Sequence, residues 1–299
     1  MKEALCMDHM TAKVSCFARA YHYLNNPVPV FADSAARQLL GEDYQQIAQS
    51  MTQGIPFFLP DFHGSPAEGL RLIVDRQLSP SVLGRSAYCE RMLANEQQLG
   101  CRQYVLFASG YDTFAIRNRD ASLSVYELDL PDVLADKQSR IEKAGLASGA
   151  VYVPCDLADP AWKDRLSEGG FDPGQKAFCS LLGISYYLDK DAFRSLLTAL
   201  GGLLCDGSAL CLDYPSPEDS RETQTNQALA RGAGEQMKAQ YTVREMETLL
   251  AECGFLVYEY LDHTAMTGQY FAEYNHSCPD HPIEAPQGVC YLLAVRKNT

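Results

Sequence analysis

The chain is poor in positive charge: 25 Lys and Arg face 38 Asp and Glu, a formal net charge of −13 over 299 residues. Nucleic acid and anionic membrane partners require a basic face, so neither is expected. No CxxC pair occurs among the 11 cysteines, and most have apolar neighbours, as in Phe178-Cys179-Ser180 and Leu210-Cys211-Leu212. They read as small core residues in a reducing compartment, which points to the cytoplasm. The opening MKEALCMDHMTAKVSCFARAYHY has no continuous apolar h-region, so no secretory signal is expected. The most apolar later run, Leu196 to Leu212, is cut by Gly201-Gly202 and Asp206-Gly207 and cannot span a bilayer. Internal repeats and low-complexity runs are absent. So is the GxSxG elbow, which counts against that kind of hydrolase.

What is present divides near residue 100. Up to Gly100 the periodicity is helical: Thr11 to Leu24, then AARQLLGEDYQQIAQSM, then SPAEGLRLIVDRQL behind a cap-like Ser65-Pro66, then GRSAYCERMLANEQQLG ending at a C-cap Gly100. From Cys101 onward strands and helices alternate. RQYVLFA, SLSVYELDL, GAVYVPCDL, KAFCSLLG and SALCLDY read as strands, and Pro131 suits the first turn of the helix that follows the second. Alternation of this kind predicts βαβ units and a parallel sheet. GFLVYEYLDHT and GVCYLLAVRK are also strand-like, with no helix-length periodic segment between them, and should pair antiparallel at one edge. The expected fold is therefore α/β: a Rossmann-like class I methyltransferase sheet of seven mostly parallel strands with an antiparallel C-terminal pair. Residues 1–100 are expected to form a helical lid or extension and 101–299 the Rossmann-like domain, the two integrated.

Ligands of open α/β sheets bind at the carboxyl ends of the strands, near the switch in strand order. The turn Ala108-Ser109-Gly110 lies there, behind the first strand. A dinucleotide fingerprint needs G-x-G-x-x-G, and the corresponding residues are Ala108, Gly110 and Thr113, so two of three glycines are missing. No Lys or Arg lies between Ala108 and Ile116 to balance phosphate. Asp129 ends YELD about 20 residues on, where a carboxylate can accept from ribose hydroxyls. Asp156 ends VYVPCD one strand later, within reach of an adenine amino group. Each acid alone reads better as a helix N-cap, a common place for Asp. Together with the turn they describe a nucleoside site without phosphate, and S-adenosylmethionine, released as S-adenosylhomocysteine, is the cofactor that fits.

RSAYCERML, YVLFASGYDTFAIR, VYELDLPDVLADK, VPCDL, GFD and YYLDKDAFRSLL together resemble the leucine carboxyl methyltransferase family, over roughly residues 10–215, with the tail also similar to bacterial members of unknown substrate. The resemblance implies a ribose-binding acid at Asp129 and an adenine-flanking pair at Asp156 and Leu157, with the Leu157 amide facing the ring. It implies a carboxylate-binding arginine at Arg85, or alternatively Arg91, where a planar donor fork matches a carboxylate. The family pattern Gly-x-Gly-x-Asp becomes Ala108-Ser109-Gly110-Tyr111-Asp112 here. A family Glu after the fourth strand becomes Leu182, which puts the acceptor preference in question.

The expected activity is methyl transfer from S-adenosylmethionine to an oxygen of a small molecule or a carboxylate. A carboxylate needs no general base, whereas a hydroxyl would need one, for which His22 and His63 are the candidates in the lid. No catalytic residue is named by the sequence, and the oligomeric state is open. Two other readings stand beside this one: a non-catalytic nucleoside-binding or regulatory protein, and a nicotinamide-dependent oxidoreductase, which the missing glycines disfavour. His276, Cys278 and His281 in NHSCPDHP match no strong zinc spacing, so no metal is expected.

Overall fold

The computed structural model describes residues 9–217 and 237–297. Its sheet has seven strands: β1 (Gln103–Phe107), β2 (Ser124–Asp129), β3 (Ala150–Pro154), β4 (Ala177–Leu181), β5 (Ala209–Pro215), β6 (Phe255–Leu261) and β7 (Val289–Arg296). Their order is β3-β2-β1-β4-β5-β7-β6. The first five are parallel, and β7 runs antiparallel to both β5 and β6. Strands β1, β4 and β5 are buried along their whole length, as two-sided coverage requires. The chain order reverses between β1 and β4, which puts the switch point beside the turn 108–110.

The N-terminal part is helical: α1 (Met10–Asn25), α2 (Ala36–Leu40), α3 (Asp43–Gln53), α4 (Ile55–Phe58), α5 (Pro66–Ile73) and α6 (Ser79–Gln98). Ser65 caps α5 through a reciprocal box with Glu68, and Gly100 follows α6 with φ +93°. The periodic stretch 35–51 is two helices rather than one. Gly41, at φ +56°, breaks it, a backbone that a side chain would resist. A π-helical turn, Val74–Leu78, joins α5 to α6.

Between β6 and β7 the structure is helical, where the sequence predicted nothing periodic. His263–Met266 is capped by Asp262, a π-helical turn covers Thr267–Phe271, and Ala272–Ser277 is helical again. Met266, Phe271 and Tyr274 are the buried residues of this segment. The five-residue step from Met266 to Phe271 is the π turn's, and it hides the 3.6-residue period. Met266 and Phe271 pack against Gly84 of α6 at distances a Cβ would crowd, 3.3–3.4 Å.

The helical part is fastened to the sheet through Asp33, whose side chain is fully buried. Arg19 of α1 donates from Nε to Asp33 at 2.8 Å and from Nη2 to the Tyr111 carbonyl at 2.7 Å. Thr113 donates to Asp33 at 2.6 Å, and the Ala36 amide does so at 3.1 Å. Arg117 lies 3.5 Å from Asp33 and also pairs with Glu90 of α6. Burial alone would raise the Asp33 carboxyl, but Arg19 and Arg117 beside it hold it below its ordinary value. Asp33→Asn should therefore cost about 3–5 kcal/mol, because the buried guanidinium of Arg19 loses its counter-charge. A depressed carboxyl contributes its stability above its unfolded value near pH 4 and loses it as pH falls through the folded value. Thermal melts from pH 7 down to pH 3 should show wild type converging on the variant only at the acid end. Equal melting temperatures at pH 7 would overturn this reading.

Candidate active site

A cavity of about 980 Å³ opens at the carboxyl ends of β1, β2, β4 and β5. One wall comes from the sheet side: the turn 106–112, then Asp129, Leu130 and Val133, and residues of the loop after β4 such as Leu182, Gly183 and Tyr186. The other comes from the helical part, chiefly α1 and the stripe Gln77, Leu78, Ser81, Val82 and Arg85 on successive turns of α6 and the π turn before it. Its size is at the upper end for small-molecule sites, enough for two ligands side by side.

The turn behind β1 is built around Asp129. The Gly110 amide donates to Asp129 Oδ2 at 2.7 Å, and the Leu130 amide donates to Oδ1 at 2.7 Å. Burial raises the Asp129 carboxyl, while these two amides pull the other way. A short helix α7 (Phe114–Arg117) follows the turn, and helix α8 (Pro131–Lys143) begins after Leu130 with no side-chain cap, so Asp129 is not its N-cap. Below it Lys137 of α8 reaches Glu127 of β2 at 2.5 Å, a pair buried completely, which sequence reading did not detect. Gly110 has φ +49°, and a Cβ there would stand 3.1 Å from the methyl of Ala12, so α1 lies directly on the turn. Ala108 takes φ +50° with a Cβ, in a region glycine prefers.

Asp156 and Leu157 stand apart from this. Asp156 is exposed and accepts from the Ala158 amide at 2.9 Å, a local turn closure, and helix α9 (Trp162–Glu168) starts only later. Leu157 is half-buried against the sheet core. Neither is on the cavity wall, whereas Arg85, Ala108, Gly110 and Asp129 all are.

Of the two arginines, Arg85 faces the cavity and Arg91 lies over the Tyr270 ring at 5.4 Å. Arg85 Nη1 is 3.6 Å from Asp213 Oδ2, and its Nη2 is 3.5 Å from Ser15 of α1. Asp213, fully buried at the end of β5, also accepts from the Gly183 amide at 2.6 Å and from the Tyr186 hydroxyl at 3.1 Å. The guanidinium rests on Gly183, where a Cβ would come within 2.7 Å of Nη1. Asp213 and Tyr186 were not anticipated. An acid closing a strand, the signal that marks Asp129, is also present in SALCLDY. Leu182 is half-buried and lines the cavity.

Neither expected histidine serves the site. His22 is fully buried, accepts the Val30 amide at Nε2 and packs on Tyr274; burial, with Arg71 nearby, pushes it down to about 4. His63 is exposed and off the cavity. Among the described residues no metal-ligating group of His, Cys, Asp and Glu assembles. The loop holding His276 and His281 is tied instead by Asn275, which exchanges two hydrogen bonds with Ile283.

Ala108→Gly should stabilise the protein by about 1 kcal/mol by relieving the left-handed backbone. That corresponds to a rise of roughly 2 °C in melting temperature. A fall would mean that the alanine methyl contributes packing that outweighs its strain.

The leucine carboxyl methyltransferase family matches residues 12–201. A protein of Bacillus subtilis (strain 168), provisionally named an S-adenosyl-L-methionine-dependent methyltransferase, is 32% identical over 96% of this chain and 98% of its own length. A similarly named protein of Mycolicibacterium smegmatis is 33% identical over 52% of this chain, which spans about half of that relative. Among solved structures, one provisionally named a methyltransferase from Thermobifida fusca superimposes with a TM-score of 0.59 at 16% identity, covering 96% of this chain and 94% of the other. A Streptomyces avermitilis protein gives 0.56 at 16% identity, over 82% and 97%. Those two likenesses bear on the fold alone. The full-length relative and the family match, on a sheet and switch-point turn of this form, lead to one conclusion: the chain belongs to the leucine carboxyl methyltransferase family.

Proposed function

We propose that this protein transfers a methyl group from S-adenosylmethionine to an oxygen of a small acceptor, a carboxylate carried on an apolar body. The methyltransferase class and its cofactor go with family membership; the acceptor is our reading. The observation that carries the cofactor reading is Asp129, a buried carboxylate locked to the Gly110 amide at the switch point of the sheet. The remaining lone pairs of Asp129 suit ribose hydroxyls, the exposed face of Leu130 suits a nucleobase, and Arg85 suits an α-carboxylate. Bound there, S-adenosylmethionine supplies a methyl group on a sulfonium, already activated for displacement.

The residues of the chain then have to orient, desolvate and exclude water. Helix α1 does the covering: Thr11, Ala12 and Ser15 line the cavity opposite the turn. We take this helical part as a lid. Away from Asp129 the lining combines apolar Leu78, Val82, Leu182, Ile184, Met237 and Val289 with the cation of Lys238 and the amide of Gln240. Among the described lining residues the one imidazole, His9, stands at the nucleoside end beside Asp132. An acceptor already ionised at neutral pH fits such a wall, and a carboxylate is that acceptor. The apolar lining favours a small molecule over a polar peptide terminus. Free thiols at the described cysteines and the net charge of −13 suit a cytoplasmic enzyme without a nucleic-acid partner. No described helix is long and apolar enough to cross a membrane.

Isothermal titration with S-adenosylhomocysteine and with NAD tests the cofactor. Tight binding of the first and none of the second is expected, and the reverse would sink the proposal. Asp129→Asn, which keeps an acceptor for the Gly110 amide, should weaken S-adenosylhomocysteine by about 1.5–3 kcal/mol, roughly 10-fold to 100-fold. For the lid, hydrogen exchange across α1 should slow when S-adenosylhomocysteine binds. Unchanged exchange there would leave α1 a fixed wall.

A further inference from the structure

Two described residues other than glycine hold a left-handed backbone, Ala108 and His9, and both line the cavity. At His9 φ is +65°, a conformation that strains a side-chain-bearing residue and persists only where other contacts fix it. His9 sits at the N-cap position of α1 without capping it by its side chain. Its Nε2 instead crosses the cavity mouth to Asp132 Oδ2, 3.2 Å away, on the first turn of α8. This contact joins residues 123 positions apart.

Between Asp129 and Asp132 lies Leu130, 42% exposed and part of the same wall, with Val133 one turn on. Asp129, Leu130, Val133 and His9 all line the cavity, and the bond to Asp132 holds the His9 ring at the helix turn that carries Val133. A flat heterocycle attached to a ribose suits a carboxylate with apolar side chains and an imidazole beside it.

We propose that His9 is a further cofactor-binding residue: it covers the nucleobase, and its bond to Asp132 fastens α1 over the bound nucleoside. The proposal rests on the cofactor reading above and adds a residue and a closing contact to it. In this arrangement the strain at His9 is held by Asp132, and the nucleoside cannot leave until that bond opens.

The test uses the full chain and two ligands, S-adenosylhomocysteine and 5′-methylthioadenosine, which share the adenosine and differ in the amino-acid part. His9→Gly removes the ring while suiting the left-handed backbone. It should weaken both ligands by a similar factor, about ten-fold, and leave the ligand-free melting temperature unchanged or slightly raised. Arg85→Gln should weaken S-adenosylhomocysteine alone. His9→Gln carries an amide donor near the place of the imidazole Nε2 and so keeps reach to Asp132; it should recover part of the affinity lost in the glycine variant. Unchanged affinities in His9→Gly, or a loss confined to S-adenosylhomocysteine, would overturn the nucleobase contact. A glutamine variant no better than the glycine variant would overturn the fastening role. A lowered ligand-free melting temperature in His9→Gly would reduce His9 to a structural helix end. Failure of the wild type to bind S-adenosylhomocysteine would instead remove the cofactor reading, and this proposal with it.

Discussion

The cavity exists because one buried carboxylate, Asp33, holds the helical part against the sheet. Its oxygens receive Arg19 from α1, Thr113 from the turn behind β1, and the amide that opens α2. Arg19 in turn holds the Tyr111 carbonyl. A buried acid without such partners would cost several kcal/mol, so helix, loop and turn have to arrive together for any of them to be stable. The helical wall of the cavity is thereby registered on the turn behind β1 by the same contacts that anchor it. Further ties run outward from this centre. Arg140 of α8 reaches Asp43 of α3 at 2.8 Å, and Lys13 of α1 reaches the same acid at 3.2 Å.

Around that anchor the site combines order with strain. Asp129 is fixed by two amides, Arg85 by Asp213 and the flat backbone of Gly183, and Gly110 by the approach of Ala12. Groups held this way before a ligand arrives lose little freedom on binding. Ala108 and His9 are the exceptions, each keeping a side chain in backbone space that favours glycine. Strain of that kind collects where a structure is shaped for a ligand rather than for stability alone.

Several site features were legible residue by residue. An acid closing the second strand and a small-residue turn behind the first are local facts; the arginine ahead of it came from the family resemblance, and all three meet at the cavity. The choice between Arg85 and Arg91 was not local: the two lie nearly two turns apart on one helix, and packing against Gly183 or Tyr270 separates them. Asp156 carried the same signal as Asp129, yet it closes a turn with Ala158 instead. His22 and His63 illustrate the same gap, since chain position in a lid says nothing of whether an imidazole is buried, exposed or facing a ligand.

Alternation of apolar runs and helical periods determined, from sequence alone, a parallel sheet with an antiparallel end and a helical N-terminal part. That pattern is local, because burial of a strand or one helix face is written in the residues that form it. Tertiary structure alone decided which polar and charged residues meet. Asp33 and Thr113 are 80 positions apart, and His9 and Asp132 are 123 apart. No period in the chain links such pairs, since their proximity follows from how whole elements pack. The π turns at Val74–Leu78 and Thr267–Phe271 were hidden for a related reason. Each inserts a residue into a helical repeat, and only packing against neighbouring helices compensates for the interrupted register.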